Sequence, residues 1–411
     1  METTTSLAAA KHVLLLAGVV LGSGAVCGFI AQRTRVPDIV LFLLAGILLG
    51  PAVSGVVTLP ANSTLGQLIL IFGASYILFD GGATLRLTVL KRIWITLVAL
   101  ATVGVLITAA ITALAAHYLL NLPLLPALLL GAVIASTDPA TLVPVFKQVR
   151  VRERLAQLVT SESAFNDAMG AILTFTVLGL ALGSGKFSLL SSTQSLLLQV
   201  GIGIGAGVVL GYLAAFLTGH HRYGFFREDA PLVTLMAVAG AYLGADDMHA
   251  SGFMAVFVAG ILMGNRELFG FKLEPNEHRR IIEYVDITSL IMRVFIFVLL
   301  GTQVNFSLIG AHLWASLAVV LIFMLVARPI TVLLCAAPDR RARWSWRELL
   351  FMCWTRETGV IPGALAGLLI GSGAPSADII ATVTFVAILV TILVQATTTR
   401  WLATRLSLMQ E

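Results

Sequence analysis

The sequence predicts an all-α polytopic membrane protein, and three observations carry that prediction. Of its 411 residues 58% are hydrophobic and only 11% charged, against about 25% charged in a soluble domain. Apolar stretches of about 20 residues, the length a helix needs to cross a bilayer, recur along nearly the whole chain. The Lys and Arg residues collect in every second loop. This composition excludes a cytosolic globular protein, a disordered chain and a collagen-like one. Three cysteines (Cys27, Cys335, Cys353), all in apolar stretches, offer neither a disulfide framework nor metal-ligand spacing.

Thirteen spans are predicted, at roughly 12–31, 38–57, 64–84, 93–120, 124–146, 153–183, 190–219, 229–245, 249–265, 280–304, 309–336, 347–371 and 376–399. Connections are short, so no appended soluble domain is expected. One set of alternate loops holds Arg33 and Arg35, Arg86 to Arg92, Lys147 to Arg154, Arg222 and Arg227, Arg266 to Arg280, Arg340 to Arg347, and Arg400 and Arg405; the other holds Lys11 and Lys186. Positive loops stay cytoplasmic, which places the N-terminus outside and the C-terminus inside. The net charge of +5 therefore reflects topology, and no nucleic-acid partner is expected. A cleaved leader over the first span is disfavoured, since cleavage would leave Arg33 and Arg35 on the outer side.

The odd span count suggests an internal arrangement. Residues 1–185 (spans 1–6) and 229–400 (spans 8–13) would form two six-helix repeats, with 186–228 (span 7) reversing the second and 401–411 as a short cytoplasmic tail. Inverted repeats of this kind typify secondary transporters. The fifth span of each half is interrupted, by Ser136-Thr137-Asp138-Pro139 and by Arg356-Glu357-Thr358-Gly359-Val360-Ile361-Pro362-Gly363. Proline lacks the amide proton and clashes with the carbonyl four residues back, and it pushes the preceding residue out of helical geometry. A single proline kink is common in membrane helices. Two breaks at matching positions, beside charges, point to a midplane binding site.

Charges inside spans are costly and usually functional. Here they are Asp80, Asp138, Glu162, Asp167, Arg293, Arg328, Arg356 and Glu357. Ser163, Asn166 and Asp167 follow i, i+3, i+4 spacing and share one helix face. A hydroxyl, an amide and a carboxylate suit a hard cation, with no His or Cys nearby to suggest a transition metal. Asp138 at the break adds a second carboxylate, and two facing carboxylates compete for one cation or for protons. The plainer reading is a buried ion-pair network. It suits Glu162, which has three intramembrane arginines to choose from, better than it suits the aspartates.

With these motifs in place, the chain resembles the cation–proton antiporter superfamily, in its electroneutral sodium/proton exchanger (NhaP-like) branch. The resemblance rests on Arg35 to Pro51, Leu-Phe-Asp-Gly-Gly (Leu78 to Gly82), Thr-Asp-Pro (Thr137 to Pro139) and Glu-Ser-x-x-Asn-Asp (Glu162 to Asp167). It implies a cation and proton site at Asp138 and Asp167, completed by Ser163 and Thr137, with Pro139 at the break. It implies a neutral Asn166 where electrogenic relatives carry a second aspartate, hence one-for-one exchange. Glu162 would pair with Arg328, and Asp80 would lie near the access path. A homodimer with a mobile core, in a bacterial inner membrane, would exchange Na⁺, or Li⁺ or K⁺, for H⁺ in the service of pH homeostasis, without enzymatic activity or cofactor. Relatives often carry Gly-Leu-Arg-Gly where this chain has Arg356-Glu357-Thr358-Gly359, a departure that leaves the roles of Arg356 and Glu357 open. Arg293 could compensate either a helix end or the aspartates. A channel or sensor on the same fold is the alternative function. An intramembrane aspartyl protease falls away, since neither aspartate sits in a Gly-x-Gly-Asp context.

Overall fold

An apolar interior, with Leu43, Phe257, Phe297 and Phe351 fully buried, surrounds a small set of buried polar and charged side chains, and further apolar side chains cover the outside. The computed structural model describes residues 2–409 except 35, 61, 92, 138–150, 184–188, 221–223 and 272–273. Helices α1 (Glu2–Thr34), α2 (Asp38–Leu49) and α3 (Thr64–Ala83) lead to the one-turn α4 (Leu87–Leu90). Helix α5 (Trp94–Leu119) is followed by α6 (Leu124–Ile134) and α7 (Glu153–Leu182). Next come α8 (Leu189–Gly219), α9 (Ala230–Asp246), α10 (Gly252–Gly264) and α11 (Pro275–Thr302). Helices α12 (Phe306–Cys335), α13 (Trp346–Trp354), α14 (Val360–Gly371) and α15 (Ala377–Arg405) complete the chain. Among the described residues there is no strand; an isolated antiparallel bridge joins Val151 to Met409.

Among the described residues eight helices are long and apolar enough to cross a membrane, and five shorter apolar helices stand between them. Each takes the place of one of the thirteen predicted spans. The multi-pass membrane architecture follows from them. Large apolar side chains such as Leu14, Phe29, Val209, Trp314 and Leu334 face outwards, where lipid takes the place of a protein core. Small residues let the backbones close up inside. At Gly260 and Gly264 of α10 a β-carbon would strike the carbonyls of Phe79 and Ala83 on α3, so glycine alone permits that crossing.

Among the described residues three helices contain π-helical turns, at Leu100–Gly104, Phe323–Ala327 and Thr391–Ala396. Such a turn inserts one residue and re-aims the side chains beyond it. The second delivers Arg328 to the interior. The third begins at Thr391, whose hydroxyl accepts the Thr358 amide at 3.0 Å.

The arginine-rich loop between α12 and α13 is fastened by one acid. Asp339 Oδ2 accepts from the Thr96 hydroxyl (2.6 Å) and amide (3.2 Å), and Oδ1 from the amides of Arg341 and Ala342. Burial opposes its charge, yet these donors prevail and hold the carboxyl below the usual carboxylate range. Below, Arg154 binds both oxygens of Glu348 at 2.7 Å and stacks over Trp344, so α5, α7 and α13 meet at this loop. A carboxyl depressed by folding stabilises the fold above its unfolded pKa and ceases to do so as pH falls through its folded pKa. Asp339→Asn should therefore cost on the order of 2 kcal/mol at pH 7. In detergent melts, the gap between wild type and variant should close on acidification; a pH-independent gap would contradict this account.

Candidate functional site

Two helix breaks meet in the middle of the molecule. Helix α6 ends at Ile134, and Ala135, Ser136 and Thr137 continue as non-helical, buried chain. The predicted cause of the break, Pro139, lies with Asp138 outside the described residues. The second break runs from Thr355 to Gly359, between α13 and α14, with Pro362 in the first turn of α14. A helix that stops inside a protein leaves carbonyls without amide partners, at the negative end of its dipole. Arginines supply the missing donors. Arg328 Nε donates to Met352 O at 2.8 Å and Nη2 to Thr355 O at 3.3 Å. Arg356 Nη2 donates to Ala135 O, so the second break caps the first.

Both arginines converge on Glu162 of α7. Arg328 binds its two carboxylate oxygens in a bidentate fork, Nη2 to Oε2 at 2.9 Å. Arg356 Nη1 lies 3.9 Å from Oε1, and its guanidinium sits 5.3 Å from the Phe323 ring centroid. Glu162, Arg328 and Arg356 are each no more than 2% exposed. The fork fits the planar geometry of carboxylate recognition by arginine.

The stripe on α7 faces the first break. Ser136 Oγ donates to Asp167 Oδ1 at 2.6 Å. The Thr137 amide donates to Asn166 Oδ1 at 3.0 Å, while Asn166 Nδ2 donates to the Thr137 hydroxyl at 2.8 Å. That hydroxyl in turn donates to Ser163 Oγ at 3.0 Å. Gly170 makes the approach feasible, because a β-carbon there would lie 2.8 Å from the Ser136 side chain. The structure thus gathers Thr137, Ser163, Asn166 and Asp167 into one buried polar cluster. Ser136 was not singled out from the sequence as a ligand-side residue, although it adjoins the motif; a hydroxyl beside a break is the signal that could have marked it.

The remaining candidates fall in two places. Glu357 is buried in the second break, 1% exposed, within the influence of Arg328. Asp80 of α3 stands beside Ser289, Asp286 and Arg293 of α11, which places Arg293 with Asp80. A cavity of about 560 Å³ reaches Ile172 and Phe175 on α7, beyond Asp167, and has Asp246, Asp247 and His249 in its lining. Among the described residues no group of three or more His, Cys, Asp and Glu side chains could hold a resident metal.

This arrangement has close parallels. A family model described as the transmembrane sodium/hydrogen exchanger matches residues 19–405. The chain belongs to the sodium/hydrogen exchanger family. Members are cation/proton antiporters, which move ions and are not enzymes. A Na⁺/H⁺ antiporter of Methanocaldococcus jannaschii is 34% identical over 365 residues, covering 85% of this exchanger and 81% of the relative. A K⁺/H⁺ antiporter, NhaP of Alkalimonas amylolytica, is 29% identical over 398 residues, covering 95% and 66%. The solved structure of the sodium proton antiporter MjNhaP1 from M. jannaschii at pH 8 superposes with a TM-score of 0.85 at 30% identity, covering 96% of this exchanger and 99% of that chain.

The ion-pair geometry is open to a direct measurement. Removing one partner of a buried pair strands the other charge, which costs about 3–5 kcal/mol. Glu162→Gln and Arg328→Gln should each lower thermal stability in detergent by that amount, and the double variant should recover part of the loss. Strictly additive losses would show that the two side chains do not interact.

Proposed function

We propose that this exchanger trades one monovalent cation for one proton at Asp167 and Asp138, with Ser163 and Thr137 contributing oxygens. Na⁺ is the first candidate; relatives named for Na⁺ and for K⁺ exchange keep K⁺, and with it Li⁺, among the substrates to test. The observation that carries the reading is the bond from Ser136 to Asp167. It holds a membrane-embedded carboxylate against a helix break, where hydroxyl oxygens can replace the hydration shell of a small cation. The cation is cargo, so the chain needs no resident cofactor.

The neighbouring groups divide the labour. Arg328 and Arg356 are engaged by Glu162 and by helix-end carbonyls, so Glu162 serves as scaffold. Asn166 reads the break through Thr137 and stays neutral, so a single exchangeable charge passes between cation and proton. The pairing of the two breaks through Arg356 and Ala135 supports two inverted repeats, 1–185 and 229–400, joined by 186–228. Asp80 with Arg293 would line the approach from one side, and the cavity near Ile172 would serve the other. We further read the chain as a homodimer in a bacterial inner membrane with its C-terminus in the cytoplasm, on the strength of its loop charges and its resemblance to exchangers.

Three outcomes test this function in proteoliposomes. Asp167→Asn, which keeps side-chain size but neither titrates nor balances a cation, should remove coupled exchange while the protein still inserts; wild-type rates would sink the assignment. Ser136→Ala deletes a hydrogen bond to a charged group worth about 1.5 kcal/mol, and should raise the cation concentration for half-maximal exchange about tenfold. Exchange of Na⁺ or Li⁺ under a potassium–valinomycin clamp should be indifferent to membrane potential, although one uncompensated charge would be worth about 2.3 kcal/mol per 100 mV. Voltage-dependent gradients would reject one-for-one exchange, and cation flux without counterflow of protons would mark a channel.

A further inference from the structure

A second cavity, of about 460 Å³, opens beside the one-turn helix α4, with none of Thr137, Ser163, Asn166 and Asp167 in its lining. Its wall is apolar, built from Leu90, Trp94 and Val98 at the entry to α5 and from Phe165 of α7. Two cations, Lys91 and Arg341, stand in the same lining, and both are exposed. Among the described residues neither enters an ion pair. Asp339, two residues from Arg341, has its oxygens occupied by the Thr96 hydroxyl and by three amides.

The depth of this cavity is marked by its own residues. Trp94 begins an apolar span and is 49% exposed, as befits an aromatic ring at the membrane–water boundary. Lys91 precedes it, on the polar side of that boundary. A cationic mouth at headgroup level above an apolar wall is complementary to one class of molecule, an amphiphile with a negative head and a hydrocarbon tail. A zwitterionic lipid brings no net charge to the cations, and a free phosphate brings nothing to cover the wall.

We propose that this cavity holds an anionic phospholipid, its phosphate on Lys91 and Arg341 and an acyl chain against Leu90, Trp94, Val98 and Phe165. The occupant fastens a joint. Helix α4 connects α3 to α5, and Asn265 pins it, its Nδ2 donating to Leu85 O at 2.7 Å and its Oδ1 accepting from the Leu87 amide at 3.1 Å. On the other side Phe165 meets the Phe257 ring of α10 edge-on, centroids 4.8 Å apart. A lipid seated here bridges the pinned joint to α7, the helix that carries the ion site. Binding itself is independent of which ion is exchanged, or whether one is.

Native mass spectrometry and lipid-dependent melting of the full chain in detergent test the site. Phosphatidylglycerol should bind and raise the unfolding temperature, whereas phosphatidylcholine of the same acyl chains and inorganic phosphate should do neither. Lys91→Gln and Arg341→Gln should each weaken phosphatidylglycerol binding about fivefold, the gain expected per cation at an anionic surface. Arg400→Gln, an exposed arginine on α15 away from the cavity, should leave binding unchanged. Val98→Trp should weaken it by filling the wall while both cations remain. Equal binding by wild type and the double charge variant, or protection by inorganic phosphate alone, would overturn the proposal.

Discussion

Everything in the interior depends on one buried carboxylate. Glu162 draws Arg328 and Arg356 to a single point, and each arginine carries the otherwise stranded carbonyls of a broken helix. Without Glu162 two guanidiniums would stand desolvated in apolar surroundings; without the arginines the helix ends would expose unpaired backbone where no water reaches. The chain can therefore break two membrane helices at the same depth only because this cluster closes both. A buried pair of this kind is weak as a source of stability but strong as a determinant of geometry.

That rigidity sits beside a softer arrangement. Asp167, Asn166, Ser163, Ser136 and Thr137 are joined by hydroxyl and amide hydrogen bonds, which can re-form around a cation with little rearrangement. The Glu162–Arg328 pair is locked by a bidentate contact, whereas Asp167 accepts from the neutral Ser136 hydroxyl. Under the proposed exchange, this separation would let an ion be bound and released next to a fixed cluster without disturbing the fold.

Much of this was legible in the sequence, for reasons specific to each feature. The spans follow from apolar length and from the alternation of cationic loops. The second break follows from the sequence around Pro362, since proline disfavours helical geometry just before it; the first stops at Ile134, and its predicted cause, Pro139, lies outside the described residues. The face shared by Ser163, Asn166 and Asp167 follows from helical spacing, and the partnership of Glu162 with Arg328 from resemblance to known exchangers. Other features left no such trace. Backbone carbonyls carry no residue label, so the contact from Arg356 to Ala135 could not be read. The π turn at Phe323–Ala327 is built from residues equally at home in an α-helix. The proximity of Asp80 to Arg293 depends on how α3 packs on α11, which periodicity within either helix does not encode.

The order of these residues along the chain has a consequence for biogenesis. Helix α12 is apolar along most of its length, so lipid gives it little rotational preference, and a lone arginine in its last third opposes insertion. Synthesis runs from the N-terminus, and Glu162 precedes Arg328 by 166 residues. The acidic partner is thus already embedded when the arginine arrives. The nascent protein presents a docking point for α12 before that helix emerges, and the wide turn ahead of Arg328 brings the side chain round to meet it. The ion pair thereby favours the one rotational setting of α12 in which both breaks are closed.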